Sequence, residues 1–191
     1  IAGGTGFIGS ALCSRLLEEQ HNIVVISRHP ELVKSPIRAI SDIQQLSNAD
    51  CFDAVINLTG EPIADKRWSA KQKKLILDSR VNSTEQLISY FRKSEHKPKL
   101  LINGSAIGFY GVAKTDDLID EDKLGDDSFS SQLCQQWEST ALEAEALGIR
   151  TCLLRTGVVL GKNGGALSKM VLPFKLGLGG RIGHGKQWMP W

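Results

Sequence analysis

Residues 3–9 read Gly-Gly-Thr-Gly-Phe-Ile-Gly, with Gly3, Gly6 and Gly9 three positions apart. Glycines in this pattern suit one task, the binding of a pyrophosphate by main chain alone. Gly3 lets the chain turn sharply out of a strand, and Gly6 lets backbone approach the phosphates. Gly9 lets the next helix pack closely on the sheet. The amides of Thr5, Phe7 and Ile8 fall around the start of that helix, where unpaired N–H groups and the positive dipole end favour an anion. A merely structural glycine turn is the competing reading, and the amphipathic helix and strand that follow argue against it.

A second position of chemical interest reads Ile26-Ser27-Arg28-His29. An acid at the end of the second strand would bind a ribose 2′-hydroxyl, but no acid occurs here before Glu31. A hydroxyl followed by a guanidinium suits a 2′-phosphate, because arginine offers paired donors. The expected cofactor is therefore NADP(H) rather than NAD(H). An arginine simply exposed at a strand end is the alternative.

Placing these residues requires apolar strands alternating with amphipathic helices, and the chain supplies them. Ile8, Leu12, Leu16 and Leu17 recur at helical spacing over residues 7–20, and 23–27 is a β-branched strand. Residues 29–50 read as loop with a short strand near 37–40, and 54–58 as the next strand. Ser69 and Gln72 have capping-box spacing and open a helix reaching about Phe91. Strands follow at 100–103 and 152–154, with an acidic exposed loop over 113–127 between them. A helix spans 129–147 and ends at Gly148. A short apolar helix covers 166–174. This alternation predicts an α/β, Rossmann-like doubly wound parallel sheet with helices on both faces.

The 191 residues suffice for one sizeable core. With 23 basic and 21 acidic residues, the chain has no electrostatic footprint for nucleic acid. No apolar run approaches the roughly 20 residues of a membrane span. Cys13, Cys51, Cys134 and Cys152 lack metal-site spacing and read as buried or half-buried thiols, fitting a reducing cytoplasmic compartment. No metal is expected. Residues 1–161 are expected to form the cofactor domain, with its first strand largely missing. Residues 162–191 read as the start of a substrate-side region that is cut short.

Several segments together resemble the extended short-chain dehydrogenase/reductase superfamily, and within it the epimerase family protein branch related to nucleoside-diphosphate-sugar epimerases. They are the glycine loop, Ser27-Arg28, Asn57-Leu58-Thr59-Gly60-Glu61-Pro62-Ile63, Lys66-Arg67-Trp68, residues 105–111, Trp137-Glu138, residues 154–161 and residues 173–180. The resemblance implies that Asn57, Leu58, Thr59, Gly60 and Glu61 line the cofactor beside adenosine and ribose, and that Arg80 reaches it from the next helix. An Arg80 solvated on its helix is the other reading. The resemblance also implies that Ser105 faces the nicotinamide, and that Arg155, Thr156, Gly157 and Val158 pass near its amide.

The catalytic pattern of that superfamily is broken. Its Tyr-x-x-x-Lys, in which lysine tunes a tyrosine acid/base, is replaced by Ser130 and Cys134 when Glu138 is set after it. Tyr110, with Ser105 nearby, is the leading candidate for proton transfer. A reactive Cys134, or no such chemistry at all, are the alternatives. Lys66 and Arg67 suit an anionic or sugar-phosphate substrate as readily as a solvated loop around a packed Trp68. His184 and Trp188 fall in a glycine-rich tail that could form a lid.

The expected function is that of an NADP(H)-dependent oxidoreductase or epimerase-like enzyme. Its partner would be a small hydroxyl- or carbonyl-bearing substrate, with nucleotide linkage and a homodimer left open. The rival reading is a non-catalytic NADP(H)-binding sensor.

Overall fold

The computed structural model describes residues 1–112, 116, 118–162, 164–181 and 183–191. Of the expected acidic loop, residues 113–115 and 117 lie outside the described residues, and the remainder is irregular and largely exposed. In chain order the elements are α1 (Phe7–Glu18), β1 (Val24–Ile26), β2 (Arg38–Ile40), β3 (Ala54–Asn57) and α2 (Ala70–Lys93). They continue with β4 (Leu100–Ala106), α3 (Phe129–Leu142), β5 (Arg150–Thr156), β6 (Leu160–Gly161) and α4 (Gly165–Lys175).

The strands form parallel pairs, β1 with β2 and β3 with β4, and β5 lies beyond β4. Ala2 joins the two groups, bridging in parallel to Ile26 on one side and Asn57 on the other. Its N–H donates to Ile56 O at 2.8 Å, and its carbonyl accepts from Leu58 N at 2.9 Å. The spatial order is thus β2-β1, then residues 1–2, then β3-β4-β5. From Ala2 the chain first winds one way to β1 and β2, then returns to build the other side. A crevice at the carboxyl ends of the strands is the geometric result of such a reversal.

Alternate residues of a strand face opposite ways, and β1 shows it. Val25 packs with Cys13 of α1 and Ile23, whereas Ile26 packs on the cluster that holds Val55, Leu101, Ile88, Phe91 and Ala141. One face is covered by α1 and the other by α2 and α3, so the doubly wound architecture stands.

The elements differ from expectation at their ends. The strand over β4 runs three residues further, carrying Ser105 within it. The final turn before Gly148 tightens into a 3₁₀ helix, Glu143–Leu147, and Gly148 closes it with φ of 76°. Ser69 caps α2 by accepting from Gln72 N, but Gln72 does not reciprocate. The reason is local: the Ser69 N–H already donates to Arg67 O at 2.8 Å. A complete capping box forms instead at Asp42 and Gln45, on a 3₁₀ turn within the stretch read as loop.

The cysteines are all free, but Cys51 is exposed rather than buried, while Cys13 and Cys134 are inaccessible. Burial also pushes the Cys13 and Cys134 thiols above their ordinary pKa. A thiol reagent applied to native protein is therefore expected to modify Cys51 first and Cys13 and Cys134 only after unfolding. Peptide mass mapping checks this, and fast native labelling of Cys134 would contradict the packing described.

The chain divides into two units, Ile1–Arg155 and Thr156–Trp191. In the second, β6 meets the residues opening α4 through bridges from Leu160 to Gly165 and from Gly161 to Gly164. Val158 N donates to Pro190 O at 2.8 Å. No helix among the described residues is long and apolar enough to cross a membrane.

Candidate functional site

The glycine loop leaves Ala2 at the carboxyl edge of the sheet. Gly3 has φ of 81°, a conformation that disfavours any side chain, and a Cβ there would lie 2.8 Å from Leu58 O. A Cβ on Gly9 would collide with Gly3 O, so α1 approaches the loop as closely as main chain allows. Gly6 serves as N-cap of α1 without a side-chain hydrogen bond, and no acid occupies the first turn. The start of α1 therefore offers main-chain donors and dipole to an anion. A pyrophosphate fits this cradle.

Ser27 and Arg28 follow β1 at the same edge. Ser27 is buried, and its Oγ lies 2.6 Å from Thr5 Oγ1 and accepts from His29 N at 3.0 Å. That contact ties the glycine loop to the end of β1. The Arg28 side chain is 80% exposed, and its Nη1 is 3.9 Å from Glu61 Oε2. Lys66 Nζ is 3.9 Å from the other oxygen of the same carboxylate.

Asn57 ends β3 and anchors the segment 58–61. Wholly buried, it donates from Nδ2 to Asn103 Oδ1 at 2.7 Å and to Thr84 Oγ1 at 2.9 Å. Its Oδ1 accepts from Thr59 Oγ1 at 2.6 Å. Trp137 Nε1 also donates to Thr84 Oγ1, bringing α3 into the same knot. Arg80 lies against Gly60, where a Cβ would fall 2.7 Å from the guanidinium carbon, and donates to Glu61 O at 3.1 Å. It also sits over the Trp137 ring and is half-buried, and burial lowers its pKa from the ordinary value. Arg80 is thus a packed residue under the 58–61 segment, not a solvated helix charge.

At the end of β4, the Ser105 hydroxyl donates to Glu138 Oε1 at 2.5 Å. Arg155 grips both oxygens of that carboxylate, from Nε and Nη2, at 2.9 Å each. Its Nη1 donates to Tyr110 Oη at 3.0 Å, and its guanidinium carbon stands 3.5 Å from the Phe109 ring centroid. The Glu138 hydrogen bonds hold Arg155 firmly protonated, its pKa above the ordinary value. Ser130 and Cys134 flank the same turn, their side chains within 3.9 Å of the position of a Cβ on Gly108. The structure therefore brings Ser105 and Tyr110 together through one carboxylate and one guanidinium.

Other sequence candidates fall elsewhere. Trp68 packs edge-on against Phe129 and donates to Ile63 O at 2.7 Å. His184 is exposed and accepts from Lys186 N. Thr156, Gly157 and Val158 belong to the second unit.

The model of the NAD dependent epimerase/dehydratase family matches residues 1–191. The chain belongs to that family. Among its relatives, epimerase family protein YfhF of Bacillus subtilis is 36% identical over 198 residues, a match covering 100% of this chain and 64% of YfhF. A crystal structure of human epimerase family protein SDR39U1 with NADPH superposes with a TM-score of 0.85 at 35% identity, covering 100% of this chain and 63% of that one. A nucleoside-diphosphate sugar epimerase from Corynebacterium glutamicum gives 0.79 at 29% identity, covering 98% of this chain and 39% of its own. The chain thus spans a little under two thirds of the length of YfhF and the human protein. Its fold is the NAD(P)-binding fold of the epimerase/dehydratase family, and the glycine cradle suits that nucleotide.

Within that fold, the residue that sequence reasoning passed over is Glu138, which served only to align a motif. Its signal was available: it lies four residues from Cys134 and three from Ala141, on the buried stripe of α3, where a lone carboxylate requires a partner.

Proposed function

We propose that the protein binds NADP(H) along the carboxyl edge of its sheet and acts as an oxidoreductase or epimerase-like enzyme on a small hydroxyl- or carbonyl-bearing substrate. The observation that carries the cofactor preference is the end of β1. There Ser27 is locked to Thr5, the Arg28 guanidinium extends into solvent, and an arginine stands where an NAD-binding domain places an acid. The NADPH held by the human relative agrees with this reading. Nucleotide-linked sugars are the first substrates to screen, given how the C. glutamicum neighbour is described.

On this reading the N–H groups of residues 5–9 hold the pyrophosphate, and Ser27 with Arg28 hold the 2′-phosphate. Leu58, Thr59 and Gly60 line adenosine and ribose. Asn57 and Arg80 fix that segment from beneath. Bound nicotinamide would supply a site for hydride transfer. Tyr110 moves the proton: its oxygen already accepts from Arg155, which leaves the phenolic hydrogen for a substrate oxygen. Ser105 is held beside it by Glu138. Residues 1–161 would form the cofactor domain, and 162–191 would open the substrate-side region.

Titration with NADPH and NADH, followed by nicotinamide fluorescence, tests the reading. Arg28→Ala is expected to weaken NADPH by roughly 10- to 100-fold, as for loss of a charge-assisted hydrogen bond, and to leave NADH nearly unchanged. If wild type binds neither nucleotide, the reading is wrong.

A further inference from the structure

Lys66 and Glu61 are not accounted for by the reading above. Glu61 is a fixed post: its N–H donates to Ser79 Oγ at 2.9 Å, its carbonyl accepts from Arg80, and its side chain is only 17% exposed. Two cations approach it from different elements, Arg28 from the end of β1 and Lys66 from the loop before α2. Each stands 3.9 Å from a different carboxylate oxygen, beyond hydrogen-bonding distance. Their side chains are 80% and 64% exposed. The carboxylate therefore gathers both cations at one place without using up their donors.

We propose that Lys66 and Arg28 form a two-cation clamp on the 2′-phosphate of the cofactor, with Glu61 as the internal anion that this phosphate displaces. The proposal rests on the NADP(H) reading and adds two residues to it. A phosphate carries more charge than a carboxylate and offers three acceptor oxygens, so it outcompetes Glu61 for both cations. Arg28 binds it through paired donors, and Lys66 as a point charge. Glu61 remains beside the phosphate, repels it and tempers its affinity. A ribose with a free 2′-hydroxyl gains nothing from either cation, so Lys66 and Glu61 set the ratio of NADPH to NADH binding without touching the reaction.

The test is calorimetric titration of the full chain with NADPH, NADH, adenosine 2′,5′-bisphosphate and 5′-AMP. Lys66→Ala is expected to weaken NADPH and the bisphosphate about fivefold, the scale of one partly exposed ion pair, and to leave NADH and 5′-AMP unchanged. Glu61→Gln is expected to tighten the two 2′-phosphorylated ligands by about threefold and the others not at all. If Arg28→Ala weakens NADPH while Lys66→Ala does not, the clamp is overturned and the NADP(H) reading survives. If Lys66→Ala weakens all four ligands equally, Lys66 acts on a part of the nucleotide that all four share, and the clamp is again overturned. Failure of wild type to bind any of the four removes the cofactor reading itself.

Discussion

Glu138→Ala is expected to lower the melting temperature by roughly 6–12 °C, the largest loss of stability from any one side chain at this site. Glu138 is 4% exposed, and its carboxylate takes hydrogen bonds from Ser105 Oγ, Arg155 Nε and Arg155 Nη2. Removing it leaves a guanidinium whose side chain is 19% exposed without its counter-charge, and takes from Ser105 its hydrogen bond to the carboxylate. Breaking one partner out of a buried pair costs about 3–5 kcal/mol. The lower end applies, because Arg155 keeps its bonds to Tyr110 and to Glu121 O. About 3 kcal/mol corresponds to that temperature shift in a chain of this size. Glu138→Gln keeps one oxygen, which can accept from Ser105 Oγ and Arg155 Nε, but sets an amide NH2 against Arg155 Nη2, so it should fall between wild type and alanine. Differential scanning calorimetry of the three proteins decides, and an alanine variant as stable as wild type would show that the pair contributes nothing net.

The second large effect is expected from Gly9→Ala. An added Cβ would overlap Gly3 O and lie 2.8 Å from Gly4 Cα, and both are main-chain atoms. Neither can swing aside as a side chain would, so α1 must shift off the loop that it is meant to close. Overpacking of this kind costs about 1–3 kcal/mol, which corresponds to roughly 5- to 150-fold in nucleotide affinity if the strain falls on the cradle. Gly148→Ala is the control. Unlike the helical Gly9, Gly148 has positive φ, 76°, and nothing lies within 4 Å of a Cβ there. It should lose stability through backbone strain alone and bind nucleotide as wild type does. Equal binding by Gly9→Ala and wild type would mean that close helix packing is not what shapes the cradle.

Much of this molecule was legible in its residues because the relevant physics is local. The glycine spacing foretold both the sharp turn at Gly3 and the close approach at Gly9, and Ser69 foretold the start of α2. The absence of an acid after β1 was visible as composition at one position. What escaped notice was set by distance along the chain in one case and by competition for a single donor within a turn in another. Glu138 and Arg155 are 17 residues apart, on a helix and a strand, and nothing near either one names the other. Gln72 has the right spacing for a reciprocal cap, yet a hydrogen bond from Ser69 N to Arg67 O, made by the preceding turn, takes the donor that it would have needed. Cys51 looks like its buried counterparts until the fold places it at the surface.

The polar knot at Asn57 bears on how the chain avoids folding errors. Asn57 pairs directly with Asn103 in the ladder of β3 and β4. A slip of two residues would keep the same faces of both strands inward, and the aliphatic side chains would tolerate it. The amides would not, because Asn57 would then oppose Leu101 or Ser105, and its partner Thr84 on α2 would lose its match. Each buried polar group stranded in this way costs about 1–3 kcal/mol. The hydrogen bonds from Asn57 to Asn103 and Thr84 thus favour the aligned sheet over a slipped one that hydrophobicity alone would accept.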